Sequence, residues 1–174
     1  DPEKGTHREI YKLLDLNEDG VPELYINFGS TAGGDAILSY FNGEIVEQKM
    51  DNYGFRYIEG ANLFRDSGGH MDEYYDKIYT LENGNFVLLY SGEYGAEDNS
   101  KVEYGDDGMP VYQYFWENEE VSSEEEYDRK LNEVYDTEKE VNIFLDAQYD
   151  SGRGRYVGNG LCDYQEIIEA IKAY

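Results

Sequence analysis

The chain has 174 residues, with 39 Asp or Glu against 14 Lys or Arg, and its formal net charge at pH 7 is -25. Phosphate backbones and anionic lipid surfaces repel such a chain, which argues against nucleic acid and membrane-surface binding. Hydrophobic residues make up 40% and aromatics 16%, which excludes a disordered acidic tail and fits a single domain over residues 1–174.

The first predicted element is a short helix over residues 3–14, because Ile10, Leu13 and Leu14 share one helical face. An acidic loop follows, and Leu24–Phe28 is then typical of a β-strand.

Hairpin signals dominate the middle of the chain. Asn42-Gly43, Asn83-Gly84 and Asp107-Gly108 each separate two runs of strand-forming residues. Asn-Gly tolerates the positive φ angles of a type I′ turn, whose twist matches paired strands. Between them, Ser67-Gly68-Gly69-His70 is interpreted as a glycine-rich turn before a strand. These signals predict an antiparallel β-meander.

The last third of the chain carries helix signals. Three pairs have the spacing of a capping box, which satisfies free N–H groups at a helix start: Ser123 with Glu126, Thr137 with Glu140, and Asp163 with Glu166. The expected fold class is therefore α+β, an antiparallel β-meander of hairpins with helices at the N- and C-terminal ends.

The acidic loop carries the chemistry. Oxygen-bearing side chains occupy its positions 1, 3, 5 and 9, and Gly20 at position 6 allows a sharp turn. Calcium takes six to eight oxygen ligands in flexible geometry, whereas magnesium demands a tighter octahedron. The predicted calcium ligands are the side chains of Asp15, Asn17, Asp19 and Glu23 and the carbonyl of Val21.

This loop departs from an EF-hand, because position 12 is Ile26, where an EF-hand places a bidentate Glu. It resembles instead the Asp-x-Asp/Asn-x-Asp-Gly-x-x-Asp/Glu loops that lead into a β-strand in integrin-type propeller blades, in which position 9 closes the site. The alternative is a metal-free turn, since Asp and Asn also accept hydrogen bonds from their own backbone.

A wider resemblance covers roughly residues 11–135. The run Leu14–Ile26, LDLNEDGVPELYI, resembles a segment of uncharacterised lipoproteins and secreted proteins of Gram-positive anaerobes. Four later pieces are similar as well: Tyr40–Gly43, Tyr79–Gly84, Tyr114–Asn118 and Val121–Tyr127. The resemblance implies an extracellular or surface-anchored location and a calcium loop, and it implies no activity.

Three functions stay open. The first is a non-enzymatic extracellular module with structural calcium, which binds a glycan or protein partner. The second is a hydrolase of a cell-wall or dietary polymer that uses paired carboxylates, which predicts a cleft holding two acids, one of them with a raised pKa. The third is an acidic inhibitor or immunity-type protein with a basic partner.

Other features suggest packing. Tyr112, Tyr114 and Trp116 alternate along one strand face, where they either bind sugar rings or pack in the core, and we expect packing. Arg153 and Arg155 are expected to pair internally. No apolar run approaches the roughly 20 residues that span a bilayer, so no membrane insertion of this segment is expected.

Overall fold

Alternating apolar and polar residues between tight turns make this chain mostly β. The structure is a computed structural model that describes residues 9–29, 33–50, 55–144 and 146–174. Strands hold 49% of these residues and helices 16%. The expectation of an α+β fold with helices at both ends is therefore wrong: the described residues form three antiparallel sheets and two short helices, and both helices lie in the last third of the chain.

The strands are numbered in chain order. They are β1 (Ile10–Leu14), β2 (Glu23–Asn27), β3 (Asp35–Phe41), β4 (Glu44–Met50), β5 (Phe55–Ile58), β6 (Leu63–His70), β7 (Glu73–Glu82), β8 (Asn85–Gly95), β9 (Gln113–Trp116), β10 (Glu119–Val121), β11 (Glu140–Asn142), β12 (Gln148–Asp150) and β13 (Arg155–Val157). The helices are α1 (Glu124–Val134) and α2 (Tyr164–Ala173).

Consecutive hairpins build two larger sheets. The first sheet has the order β1-β2-β3-β4, the second has the order β10-β9-β8-β7-β6-β5-β11, and β12 and β13 form a separate ribbon. Asn42-Gly43 joins β3 to β4 and Asn83-Gly84 joins β7 to β8, and all four residues have positive φ. These two predicted hairpins are confirmed, and the predicted meander is the part of the fold class that holds.

The predicted N-terminal helix is wrong where the structure describes it, because Ile10–Leu14 is strand β1; residues 3–8 lie outside the described residues. Ile10 and Leu14 are buried on one face of this strand. The backbone of Tyr11 also exchanges two hydrogen bonds with Cys162, of 3.0 and 2.8 Å. The pairing of β1 on both edges outweighs a helical spacing that rests on three apolar residues.

The helix predicted after Thr137 is also wrong. A 3-10 helix spans Thr137–Lys139, and strand β11 follows and pairs with β5. The Glu140 carboxylate lies 2.6 Å from Nη2 of Arg65 on β6. That half-buried ion pair and the sheet edge hold Glu140 in a strand, so it does not cap a helix.

The remaining two caps form helices as predicted. Ser123 Oγ accepts from the Glu126 amide at the start of α1, and the Glu126 carboxylate reaches back to the Ser122 amide. At the start of α2, Asp163 and Glu166 form a full capping box.

The Ser67–His70 segment is not a turn, because it lies inside β6. Its glycines leave room for neighbouring atoms that approach the backbone closely. A Cβ at Gly68 would lie 2.8 Å from the Tyr75 hydroxyl oxygen. The tyrosine ring of β7 therefore lies over Gly68, where a larger residue would displace it. The turn occurs just afterwards, at Met71-Asp72, where both residues have positive φ.

Two apolar clusters lie on opposite faces of the second sheet. One face packs against the first sheet, in a cluster that includes Tyr25, Ile37, Phe55, Phe64 and Tyr79. The other face packs against α1, in a cluster of Ile58, Ile78, Trp116, Val121, Tyr127, Leu131 and Tyr135. The protein is thus a sandwich of two sheets with one helix covering the outer face of the second sheet.

A buried polar network fixes α1 to the second sheet. The Tyr127 hydroxyl donates to Oδ2 of Asp76 at 2.7 Å, and Nη1 of Arg65 donates to Oδ1 of the same carboxylate at 3.1 Å. Because Asp76 is buried and both its oxygens are satisfied, its charge is compensated inside the sandwich.

Candidate calcium site

The acidic loop closes the hairpin of β1 and β2. The two strands pair in antiparallel register up to Leu14 opposite Glu23, so residues 15–22 form the connection. Leu16 turns inward from this loop, is only 4% exposed and belongs to the core between the sheets. The loop is therefore anchored to the core at its second residue.

Three of the predicted ligands meet around one backbone amide. Oδ1 of Asp15 and Oδ1 of Asn17 both accept from the Asp19 amide, at 3.1 and 3.2 Å. Oδ2 of Asp15 also accepts from the Gly20 amide at 3.0 Å. Gly20 has a φ of +83°, which supplies the sharp turn expected at position 6.

Asp19 lies at the other side of this turn. Its Oδ2 accepts from Nδ2 of Asn17 at 2.9 Å, and its Oδ1 accepts from the Val21 amide at 2.7 Å. The backbone of Val21, whose carbonyl is a predicted ligand, is thus fixed beside the Asp19 carboxylate.

Glu23 supplies a buried carboxylate to the loop. The residue is 2% exposed, and its Oε2 accepts from the Leu16 amide at 3.0 Å. Burial raises the pKa of Glu23, a backbone hydrogen bond from Leu16 opposes the rise and the nearby charges of Asp19 and Asp15 add to it, so that the pKa lies at about 7 instead of 4.5. The ionised form therefore lacks compensating positive charge at this position.

The structure thus places Asp15, Asn17, Asp19 and Val21 in the loop and Glu23 at the start of β2, and each of the three acids accepts at least one hydrogen bond from a loop amide. This is also the hydrogen bonding that a metal-free turn would have. An ionised carboxylate offers about four lone-pair sites, so these amides do not use up its oxygens. Within the described ranges, no three Asp, Glu, His or Cys side chains form a preformed metal-ligating group.

Two neighbours of the loop carry no sequence signal. The Tyr174 hydroxyl donates to the Gly20 carbonyl at 2.8 Å, across 154 positions of the chain. A Cβ at Gly60, in the turn between β5 and β6, would lie 2.9 Å from Oε1 of Glu18. The loop therefore contacts both the second sheet and the end of the chain after α2.

A second concave feature lies on the second sheet. It is a groove of about 480 Å³ between residues of β6, β7, β8 and β9 and the segment that follows β8. Its lining includes Glu73, Glu93 and Glu97. The hydrolase hypothesis predicted a cleft with two acids, one of raised pKa, but the acids Glu23 and Asp35, whose pKa values burial raises, lie on the first sheet.

The alternating aromatics of β9 pack, as expected. Trp116 is buried beneath α1 and contacts Tyr127 edge-on, with ring centroids 5.6 Å apart. Tyr114 stacks on Tyr94 of β8 at 5.7 Å, and the Tyr112 hydroxyl donates to Asp72 at 2.7 Å.

Arg153 and Arg155 pair internally, as expected. Nη2 of Arg155 lies 3.2 Å from Asp163 and 3.0 Å from Glu166, and Arg153 pairs with Asp150. Arg155 thus joins the β12–β13 ribbon to the N-terminus of α2.

Comparison with known proteins adds no family to this description. No protein-family model matches the chain, and neither a curated protein nor a solved structure matches it. Of the helices in the described part of the chain, none is long and apolar enough to cross a membrane.

Proposed function

We propose that the chain is an extracellular calcium-binding module in which calcium has a structural role and which acts by binding a glycan or protein partner. The observation that carries the proposal is the buried carboxylate of Glu23, which lies within the electrostatic reach of Asp15 and Asp19. Three acids at one hairpin loop repel one another, and a divalent cation bound between them removes that repulsion.

Calcium suits this loop better than magnesium. Its ligands would be carboxylates, one amide oxygen and a carbonyl, and their positions depend on a loop backbone that can adjust. Calcium accepts such irregular oxygen sets, whereas magnesium requires a near-ideal octahedron.

The expected affinity supports an extracellular setting. Position 12 of the loop is Ile26 on β2, so the bidentate glutamate of an EF-hand is missing. With fewer charged ligands we expect a Kd of about 10⁻⁴–10⁻³ M, the range of extracellular calcium modules. Such a site is filled where calcium is millimolar.

Isothermal titration calorimetry with calcium tests the proposal on the full 174-residue chain. The wild type should bind one ion per chain, and Asp19→Ala should abolish detectable binding, because Asp19 lies between the other ligands and fixes Val21. Asp106→Ala is the matched control, since it removes one exposed carboxylate from another loop and should leave binding unchanged.

Either of two results would overturn the proposal. One is a wild type that takes up no calcium at millimolar concentration. The other is equal binding by Asp19→Ala and the wild type, which would place the ion elsewhere.

A further inference from the structure

The face of the second sheet that packs against the first sheet is covered over only half of its length, and the other half is open. Contacts with the first sheet involve Phe64, Tyr79 and Phe86. Farther along the same strands this face continues as the groove described above, with Glu73 and Glu93 exposed to solvent. The open half-face is therefore a concave sheet surface available to a partner.

A cross-strand row forms the floor of the groove. Tyr75 of β7 pairs in register with Glu93 of β8, and Glu93 pairs with Phe115 of β9. Neighbouring strands lie about 4.8 Å apart, so two half-buried rings flank one exposed carboxylate at a separation of about 10 Å. Glu73 and Glu97 add two further carboxylates to the lining.

The acids of this groove form no ion pair among the described residues, although the ammonium group of Lys77 lies beside the groove. Within the part of the chain that the structure describes, no hydrogen bond or ion pair forms at the carboxylates of Glu93 and Glu97. Glu73 accepts only a neutral hydrogen bond from Nδ2 of Asn99, at 2.8 Å. Among its described residues the lining contains no Lys or Arg, and His70 is the one basic side chain there.

An ammonium group already contacts one of the two rings. Nζ of Lys77 lies 4.6 Å from the centroid of the Tyr75 ring, within the range of a cation–π interaction. Lys77 lies next to the groove on β7, on the same strand face as Tyr75. The chain itself thus shows that this surface accommodates a lysine head group against an aromatic ring.

We propose that this groove binds a basic segment of a protein partner, with a lysine or arginine side chain placed against the ring of Phe115 and others paired with Glu93 and Glu97. The inference rests on the proposal that the module acts by binding a partner, and it does not require the calcium site. The net charge of -25 steers such a partner towards the protein.

Charge favours a basic segment over a glycan. A neutral sugar could stack on Phe115, but it would leave the carboxylates of Glu93 and Glu97 without a positive partner. A cationic segment contacts the Phe115 ring and pairs with the acids at the same time.

The test uses fluorescence anisotropy of a fluorescein-labelled octalysine peptide, in calcium buffer at low and at moderate salt. The double variant Glu93→Gln and Glu97→Gln should weaken binding by about fivefold or more, as expected for two lost charge pairs. Phe115→Ala should weaken it by about twofold to fivefold through the lost cation–π contact.

Matched variants separate the groove from the general charge of the protein. Glu44→Gln with Glu47→Gln removes two exposed acids of β4, and Tyr40→Ala removes an exposed ring of β3. Both should change the affinity by less than about twofold, because they alter only the long-range field or a distant surface.

Three outcomes would overturn the inference. The first is failure of octalysine to bind the wild type, and the second is an equal loss of affinity in the groove variants and the β4 variants. The third is salt-insensitive binding of a neutral cello-oligosaccharide, measured by calorimetry, that Phe115→Ala abolishes and the glutamate variant leaves intact. All three outcomes concern the groove alone. The calcium site is tested separately, by the dependence of the melting curve on calcium, so the failure of one proposal can be told from the failure of the other.

Discussion

Glu23 combines burial with a position beside two other acids. Its carboxylate accepts a hydrogen bond from the Leu16 amide, and backbone hydrogen bonding only partly offsets burial and the charges of Asp19 and Asp15. The folded protein can relieve this cost in two ways, by protonating Glu23 or by binding a cation. These two routes compete, so proton binding and calcium binding should be linked at this residue.

The pKa of Glu23 gives a prediction for stability without calcium. Because folding raises this pKa from 4.5 to about 7, the folded state holds more protons than the unfolded state between those values. Stability in EDTA should therefore fall as pH rises from about 5 to 8, by up to about 3 kcal/mol from this group. Urea denaturation across this range measures the slope, and in Glu23→Gln it should be much flatter.

Calcium provides the control for that prediction. A bound ion holds Glu23 ionised and lowers its pKa, so the wild type in saturating calcium should lose the downward slope. An equal slope for Glu23→Gln and the wild type in EDTA would show that other groups cause the pH dependence.

At the scale of the elements, glycine placement explains how β6 turns into β7. Gly69 has a φ of +128° inside the strand, and a Cβ there would lie against the Glu73 carbonyl oxygen and the Tyr74 backbone. Backbone strain and crowding thus coincide at one position. At Gly108 the φ is +78°, but a Cβ would meet nothing within 4 Å.

This contrast predicts the effect of adding a methyl group. Gly108→Ala carries only backbone strain, whereas Gly69→Ala should destabilise the fold by about 1–3 kcal/mol more, because its methyl group crowds fixed backbone atoms. Urea denaturation of both variants measures the difference. Equal losses would mean that the β6–β7 turn shifts freely to accept the side chain.

Turn chemistry decides which elements were predictable from sequence. Asn42-Gly43 and Asn83-Gly84 signal their hairpins because glycine takes positive φ without strain. Met71-Asp72 and Glu117-Asn118 form similar turns with no glycine, so no local signal marks them. Their positive φ values are imposed by the pairing of the flanking strands.

Helix and strand assignments failed where pairing partners lie far away in sequence. β1 pairs with β2 and also bonds to Cys162, and β11 pairs with β5. A short apolar run is compatible with either element, and distant pairing then decides. The caps at Ser123 and Asp163 were predictable because their hydrogen bonds are local.

The acidic loop and the groove also differ in how much of each can be predicted from the sequence. The spacing from Asp15 to Glu23 identifies the loop in the sequence, since the predicted ligands lie within nine residues. The burial of Glu23 and the contact of Tyr174 with Gly20 depend on packing, and the sequence carries no sign of them. The groove needs the register of four strands, which only the folded sheet reveals.

For the whole molecule, the acidic loop joins parts that are distant in sequence. Its Leu16 enters the core between the sheets, Glu18 packs on the turn at Gly60, and Gly20 accepts from Tyr174. An ion that orders this loop therefore stabilises the contact between the sheets and the end of the chain. Because the net charge is -25, removal of the two positive charges of a bound calcium ion should increase the electrostatic repulsion throughout the protein.

The most direct test is a thermal melt of the wild type in excess EDTA, in calcium and in magnesium. At about 10 mM calcium and the affinity proposed above, the melting temperature should rise by about 3–10 °C over EDTA. Magnesium should give a clearly smaller rise, and Asp19→Ala in calcium should melt with the EDTA-treated wild type. Identical melting of the wild type in calcium and in EDTA would contradict the account, and the acidic loop would then be a metal-free turn.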